Sequence, residues 1–422
     1  MGVIKKYESA LRENVHMWIN KIKTIDVLVG IPCYNSEDTI GYVVEQTGKG
    51  LAKFFPDHKC AVFISDGGSL DDTRERAYEA PIPSNIERRV TIYRGIPGKG
   101  TSLRAVFEVA LLLQAKAIAV FDSDLKSITP EWVNLLVKPI LDGSAEFVAP
   151  FYKRHKFDGT ITNHIVYPMT RALYGKDIRQ PIGGDFGLSP KLAEFYIKED
   201  VWDTDVARFG IDIWMTTCAI NEGYNVVQAY LGAKIHGAKD PGSDLGPMFQ
   251  QVVSTLFYLM GKYESKWNRE TPLQPIPIIN SIEGNVELEP IKVNLKKLYT
   301  EFIEGFNHFK PMYKHILSSE NMEKLEKIHR SWELNEKKTE EFDADLWSKI
   351  LYDFAVIYQL WQRNRRRLVD IITPLYFGRT KSYCEQVMDM SNEEAEEVIQ
   401  EQARVFEKNK SYLIDRFSMW TE

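Results

Sequence analysis

The sequence predicts an α/β fold: a doubly wound, mainly parallel sheet with helices on both faces, followed by a mainly α-helical C-terminal region. Three observations carry this. Predominantly apolar runs recur at 27–31, 60–64, 90–93 and 115–121, each the length of a buried strand. Segments of helical period separate them, as in βαβ units. After a proline-rich stretch at 271–290, apolar residues recur only at helical spacing.

Composition bounds the rest. The chain has 422 residues, enough for two or three domains. With 44% apolar and 27% charged residues it reads as an ordinary globular protein. A net charge of -6 gives no global basic field and argues against a nucleic-acid partner. Cys33, Cys60, Cys218 and Cys384 lack metal-ligand spacing and read as reduced thiols. No secretory leader and no apolar run of membrane-spanning length is present, so a cytoplasmic protein without membrane attachment is expected.

The elements follow in order. In 3–23, Ile4, Tyr7, Leu11, Val15, Trp18 and Ile22 share one helical face, so 1–25 is expected to be a helix packed on the core. The strand at 27–31 ends at Pro32-Cys33-Tyr34-Asn35, and Ser36-Glu37-Asp38 opens a helix. The strand at 60–64 ends at Ser65-Asp66-Gly67-Gly68; Ser69 caps the next helix, with Asp71 and Asp72 in its first turn. A third strand is expected at 90–93, a helix at 101–114 and a fourth strand at 115–121. Further on come a helix at 190–197 and a strand from 226 that extends towards His236. The domain reading is 26–270 for the sheet domain, 271–290 for a linker and 291–422 for the helical region. In the last, Leu298, Phe302, Phe306 and Phe309, then Leu346, Ile350, Phe354, Ile357 and Trp361, keep helical spacing. The charge run 333–345 reads as a solvated loop or helix face.

Ligands of such sheets bind beyond the carboxyl ends of the strands. Phe121-Asp122-Ser123-Asp124-Leu125 lies at such an end. Two carboxylates one residue apart suit a divalent cation, Mg²⁺ or Mn²⁺, shared with a diphosphate, where an isolated pair would read as a solvated turn. Asp66 and Lys99 of Gly98-Lys99-Gly100 also follow strands and can converge there. Glycines beside a lysine let the backbone approach an anion, though the segment lacks the spaced upstream glycine of a Walker loop. In Gln180-Pro181-Ile182-Gly183-Gly184-Asp185 the glycines suggest close backbone approach, and Asp185 can accept from sugar hydroxyls; the bland reading is a turn with a capping acid. Asp212 in Gly210-Ile211-Asp212-Ile213-Trp214 is costly in apolar surroundings unless a base pairs with it or a cleft solvates it. His236, late and at a strand end, can complete a metal shell with Asp124. Arg154, Asp158 and Thr162, four apart, would line one face if helical, and suit a small hydroxy-carboxylate; otherwise Arg154 and Asp158 form a surface ion pair.

Together these segments resemble the GT-A-type retaining glycosyltransferases that make glycerate glycosides: mannosylglycerate synthase, glucosylglycerate synthase and glucosyl-3-phosphoglycerate synthase. The resemblance runs from about 26 to 248 and is diffuse beyond 276. It implies a GT-A, Rossmann-like nucleotide-diphospho-sugar transferase sheet. By resemblance Asp124 and His236 are the metal ligands. Pro32, Tyr34, Asp66, Lys99, Asp122, Gly183 and Gly184 bind the donor, and Arg154, Asp158 and Thr162 bind glycerate. Asp185, where a family member has Glu, holds the sugar, and Asp212 stands near the reacting centre. Gly237 replaces an Arg of mannosylglycerate synthase, which passes a diphosphate contact to Lys239.

The reading is a metal-dependent retaining hexosyltransferase. It moves glucose, or mannose, from a UDP- or GDP-sugar to the 2-hydroxyl of D-glycerate, forming a compatible solute, glucosylglycerate or mannosylglycerate. A homodimer through the helical region is expected. Three alternatives stay open. One is a 3-phosphoglycerate acceptor. Another is a sugar nucleotidyltransferase, which would need a glycine-rich basic loop where Pro32-Cys33-Tyr34-Asn35-Ser36-Glu37 stands. The last is a non-catalytic sugar-nucleotide-binding protein, which predicts the loss of an acid or of the His.

Overall fold

A computed structural model describes residues 7–237, 246–281, 288–334 and 341–421. It divides into two compact units. Unit 1 comprises 1–153, 179–237 and 276–288; unit 2 comprises 154–178, 238–275 and 289–422. The chain therefore passes between units five times, where the sequence suggested consecutive blocks.

From the N-terminus the chain forms α1 (Glu13–Ile22), β1 (Val27–Cys33), α2 (Ile40–Phe54), β2 (Cys60–Asp66), α3 (Thr73–Glu79) and β3 (Glu87–Ile92). Next come α4 (Lys99–Leu112), β4 (Ala117–Val120), α5 (Pro130–Leu141) and β5 (Phe147–Lys153). A π-helical turn (Thr162–Val166) runs into α6 (Tyr167–Tyr174), followed by β6 (Lys176–Asp177), β7 (Phe186–Leu188), α7 (Pro190–Lys198), α8 (Ile211–Asn221) and β8 (Val226–Ala233). Then follow α9 (Gly246–Lys262), α10 (Glu264–Trp267), β9 (Gln274–Pro275) and β10 (Ile278–Ser281). The rest is helical: α11 (Leu295–Ile316), α12 (Ser319–Glu333), α13 (Ala344–Leu360), α14 (Arg366–Gln386), α15 (Asn392–Lys408) and α16 (Lys410–Thr421).

Unit 1 is built on an eight-stranded sheet of order β10-β8-β5-β7-β4-β1-β2-β3. All pairs are parallel except those of β7, which runs antiparallel to β4 and β5. β1 and β2 are buried along their whole length, as continuous apolar runs require. One core joins Val29, Ile31, Val62 and Ile64 of the sheet to Val43, Leu51, Trp132 and Leu136 of α2 and α5. Parallel order sends the ends of β1, β2 and β4 to one edge.

Several expectations are corrected here. The first helix covers Glu13–Ile22 only. Upstream, Ser9 and the Ala10 N–H are held by the Glu108 carboxylate, so that stretch cannot close helical bonds. Ile4 lies outside the described residues. Ser36 does not open α2; its carbonyl accepts from the amides of Thr39 and Ile40, delaying the helix by a turn. Ser69 does not cap α3, because its hydroxyl donates to Asp66 at 2.5 Å. The expected linker contains β10, which extends the sheet beside β8.

Unit 2 is helical, with the two-residue ladder β6–β9. Leu298, Phe302 and Phe306 of α11 and Leu346, Ile350 and Phe354 of α13 are buried, as their spacing predicts. Asp353 is buried and accepts from the Ser318 amide, Asn321, Tyr412 and Arg416, which ties α12, α13 and α16 together. Of the charge run, Leu334 ends α12 and Asp343 caps α13, while 335–340 lie outside the described residues. No helix among the described residues is long and apolar enough to cross a membrane.

Candidate active site

The site of unit 1 lies at the ends of β2, β4 and β8 and the first turns of α4 and α8. Strand β4 delivers Asp122 two residues past its end, and α4 begins with Lys99. Lys99 Nζ lies 2.7 Å from Asp122 Oδ1 and 2.9 Å from Asp212 Oδ2. Gly100 allows this start: a Cβ there would come within 1.8 Å of the Val206 carbonyl oxygen. On its other oxygen Asp122 meets Lys234 Nζ at 2.9 Å, and the same ammonium reaches Asp185 Oδ2 at 2.9 Å and the Gly183 carbonyl at 2.7 Å. Asp185 also accepts from the Asp122 N–H at 2.8 Å and from the Tyr152 hydroxyl. The result is an alternating chain, Asp212–Lys99–Asp122–Lys234–Asp185, of three carboxylates and two ammoniums.

Burial sets its electrostatics. It works against the charge on Asp122, but Lys234 and Lys99 outweigh it and hold that carboxyl well below the usual range. Burial likewise opposes the charge on Lys99, yet Asp122 and Asp212 keep it protonated. Burial raises Asp185 and Asp212 above the usual carboxylate range; Lys234 and Lys99 respectively oppose this, and the charge of Asp122 adds to it. Of the three, Asp122, at the centre, is the one whose surroundings favour the ionised form most strongly. Asp212 Oδ1 is buried with no hydrogen-bond partner among the described residues.

The Asp122-Ser123-Asp124 segment is fixed by short polar contacts. Ser123 Oγ is 2.9 Å from Ser36 Oγ, and Thr39 donates to the Ser123 carbonyl at 2.8 Å. An antiparallel bridge then joins Leu125 to His236, with the Lys126 amide on the Ile235 carbonyl at 2.9 Å. Asp124 and His236 are thereby brought together on adjacent backbones. His236 Nδ1 lies 2.9 Å from the Gly237 carbonyl; a proton donated there leaves the acceptor lone pair on Nε2. No cluster of three His, Cys, Asp or Glu side chains suited to a metal occurs among the described residues. A carboxylate, an imidazole and the oxygens of a bound diphosphate nevertheless form a donor set that Mg²⁺ or Mn²⁺ accepts.

Other expected residues divide. Pro32 is buried within β1, and Tyr34 is 58% exposed just beyond it, with its ring over Gly67. Asp66 is fully buried and receives the amides of Gly68 and Ser69 and the Ser69 hydroxyl, so it builds the loop after β2. Asp185 does not face a cleft: it is 0% exposed, and its oxygens are taken by Asp122, Tyr152 and Lys234. Gly184 has φ +90°, and a Cβ there would lie 2.0 Å from Asp122 Oδ2. Lys239 lies outside the described residues.

Arg154, Asp158 and Thr162 belong to unit 2. They do not share a helical face, because 154–159 form a turn and only Thr162 is helical. Arg154 and Asp158 still pair at 3.4 Å, while Thr162 is buried. Lys156 Nζ donates to the carbonyls of Val387, Met388 and Met390 at the end of α14.

Sequence reasoning missed Lys234 and Tyr152. The signal for Lys234 was present: a lysine ending the apolar run 226–233, two residues before His236. Tyr152 gave none, since a tyrosine in a strand reads as core.

Residues 28–189 match the family described as glycosyl transferase family 2, a span from β1 to the end of β7. No curated protein matches the chain. Among solved structures it resembles glucosyl-3-phosphoglycerate synthase from Mycobacterium tuberculosis in complex with phosphoglyceric acid: 24% identity, 60% of this chain and 86% of that chain covered, TM-score 0.46. The same enzyme with Mg²⁺ and uridine diphosphate gives 23% identity, 60% and 86% coverage and a TM-score of 0.46. A likeness of this degree carries no functional conclusion.

Proposed function

We propose that this chain, whose sheet carries a family 2 glycosyltransferase segment, is a metal-dependent retaining hexosyltransferase. Its donor is a nucleoside-diphosphate glucose, or mannose, and its acceptor is the 2-hydroxyl of D-glycerate. The observation that carries the reading is the Leu125–His236 bridge, which lays His236 against the Asp122-Ser123-Asp124 segment at the carboxyl edge of the sheet.

Asp124 and His236 would hold the cation. When bound, it supplies positive charge to the departing diphosphate. Lys99, kept protonated by two acids, adds fixed positive charge, while Asp66 and Tyr34 shape the nucleotide end. Asp122 is pinned by two lysines, and Asp185 acts behind it as a positioning residue.

Among the described residues Asp185 and Asp212 are not presented as nucleophiles, since both are buried and paired with lysines. This supports a front-face substitution. The glycerate 2-hydroxyl bonds to the anomeric carbon as the diphosphate oxygen leaves from the same face. The hydroxyl proton passes to that phosphate oxygen, and the anomeric configuration is retained. Asp212 stabilises positive charge developing at the anomeric carbon.

Arg154 would pair with the glycerate carboxylate. Lys156, whose ammonium is committed to three carbonyls, offers little to a phosphate, which favours the free acid over 3-phosphoglycerate. Crossing a panel of UDP- and GDP-hexoses with glycerate and 3-phosphoglycerate tests the reading. Release of nucleoside diphosphate should depend on glycerate. Equal release without acceptor, or with 3-phosphoglycerate alone, would overturn it.

A further inference from the structure

We propose that a recess on unit 2, with the arginine run beside it, receives the Met388 corner of a second copy of this chain. The recess has a volume of about 430 Å³ and is lined by Met312, His315, Ile316, Ile357, Leu360 and Trp361. Immediately downstream, Arg363, Arg365, Arg366 and Arg367 are all exposed. Three of them stand at the N-terminal end of α14, whose first turn contains no acid. Positive charge there runs against the helix dipole, so helix stability does not explain it.

The far end of α14 is the complement. Met388, a large apolar side chain, is 41% exposed. Asp389 follows it, and Glu393 and Glu394 are exposed in the first turn of α15. An unbranched methionine beside carboxylates fits an apolar recess rimmed by guanidinium groups, which bind carboxylates well.

Within one copy the two cannot meet. α14 has 21 residues and spans about 31 Å, holding them at opposite ends. A membrane fits less well: the apolar residues line a hollow, with Ile316 and Ile357 buried and Leu360 36% exposed. The contact is between unlike surfaces, so two copies close a dimer by exchanging it twice, or chain onward if they do not close.

This inference is independent of the glycosyl-transfer reading, and its test needs no substrate. Sedimentation velocity of the full chain should show association that rises with concentration and weakens with salt. Arg363→Glu/Arg367→Glu and, separately, Met388→Glu should each weaken it by about 10-fold or more while the thermal midpoint stays put. Arg363→Lys/Arg367→Lys and Met388→Leu should largely preserve it. The decisive arm mixes the two disrupted variants. Each retains the half the other lacks, so a one-to-one pair should form although neither associates alone. A monomeric wild type, undiminished association of either disrupted variant, or a mixture that stays monomeric would overturn the proposal. Pelleting with vesicles of anionic phospholipid that depends on the arginines, without self-association, would assign the surface to a membrane instead.

Discussion

Lys234 Nζ lies 2.9 Å from Asp122 and 2.9 Å from Asp185, with 4% of its side chain exposed. One buried ammonium thus holds two carboxylates that would otherwise repel each other at the edge of the sheet. Removing it would leave Asp185 without its buried counter-charge and Asp122 with Lys99 alone, the costly outcome for any interior ion pair. Lys234→Met should therefore lower unfolding free energy by about 3–5 kcal/mol. Chemical denaturation measures this, and a loss under 1 kcal/mol would show that the chain of charges is not coupled through Lys234.

How the sequence announced this site depends on the residue. Asp122, Asp124 and His236 were legible because chemistry-bearing residues at strand ends violate the apolar pattern around them. The strands themselves were legible because parallel, doubly covered strands are continuous apolar runs. What escaped were choices made by tertiary partners. Ser69 looks like a helix cap until Asp66 claims its hydroxyl. Asp185 looks like a ligand-facing acid until Lys234 and Tyr152 bury it. Arg154, Asp158 and Thr162 keep helical spacing, but a turn at 154–159 breaks the face.

Metal handling should separate Asp124 and His236 from the structural acids. Asp124→Ala and His236→Ala should each lower the transfer rate by about 10²-fold or more. Each should also abolish binding of Mn²⁺ to the protein–nucleoside diphosphate complex, read as loss of free-ion signal by electron paramagnetic resonance. Wild-type Mn²⁺ binding in both variants would remove them from the metal site.

His164 supplies a pH signature in unit 2. It is fully buried, and burial followed by the nearby Arg379 guanidinium pushes its pKa well below the usual 6.5. The folded protein thus favours the neutral ring. Its contribution to stability is complete above pH 6.5 and is lost as pH falls below that value, by up to about 1.4 kcal/mol per pH unit. The stability advantage of wild type over His164→Gln should shrink between pH 7 and pH 5. An advantage that stays constant or grows would mean the ring is charged when folded.

Acceptor recognition rests on Arg154. A charge-assisted pair with a carboxylate contributes about 1.5–3 kcal/mol, so Arg154→Ala should lower kcat/KM for glycerate by about 10- to 100-fold. Donor affinity should hardly change. Loss of donor binding with an intact glycerate response would assign Arg154 to the diphosphate.

The central claim, metal-dependent transfer with retention, is tested most directly by proton NMR of the first-formed product from an α-linked nucleotide-hexose and D-glycerate. The product should be an α-glycoside of the 2-hydroxyl, formed with Mg²⁺ or Mn²⁺ and absent in excess chelator. A β-linked product, or undiminished transfer in chelator, would contradict it.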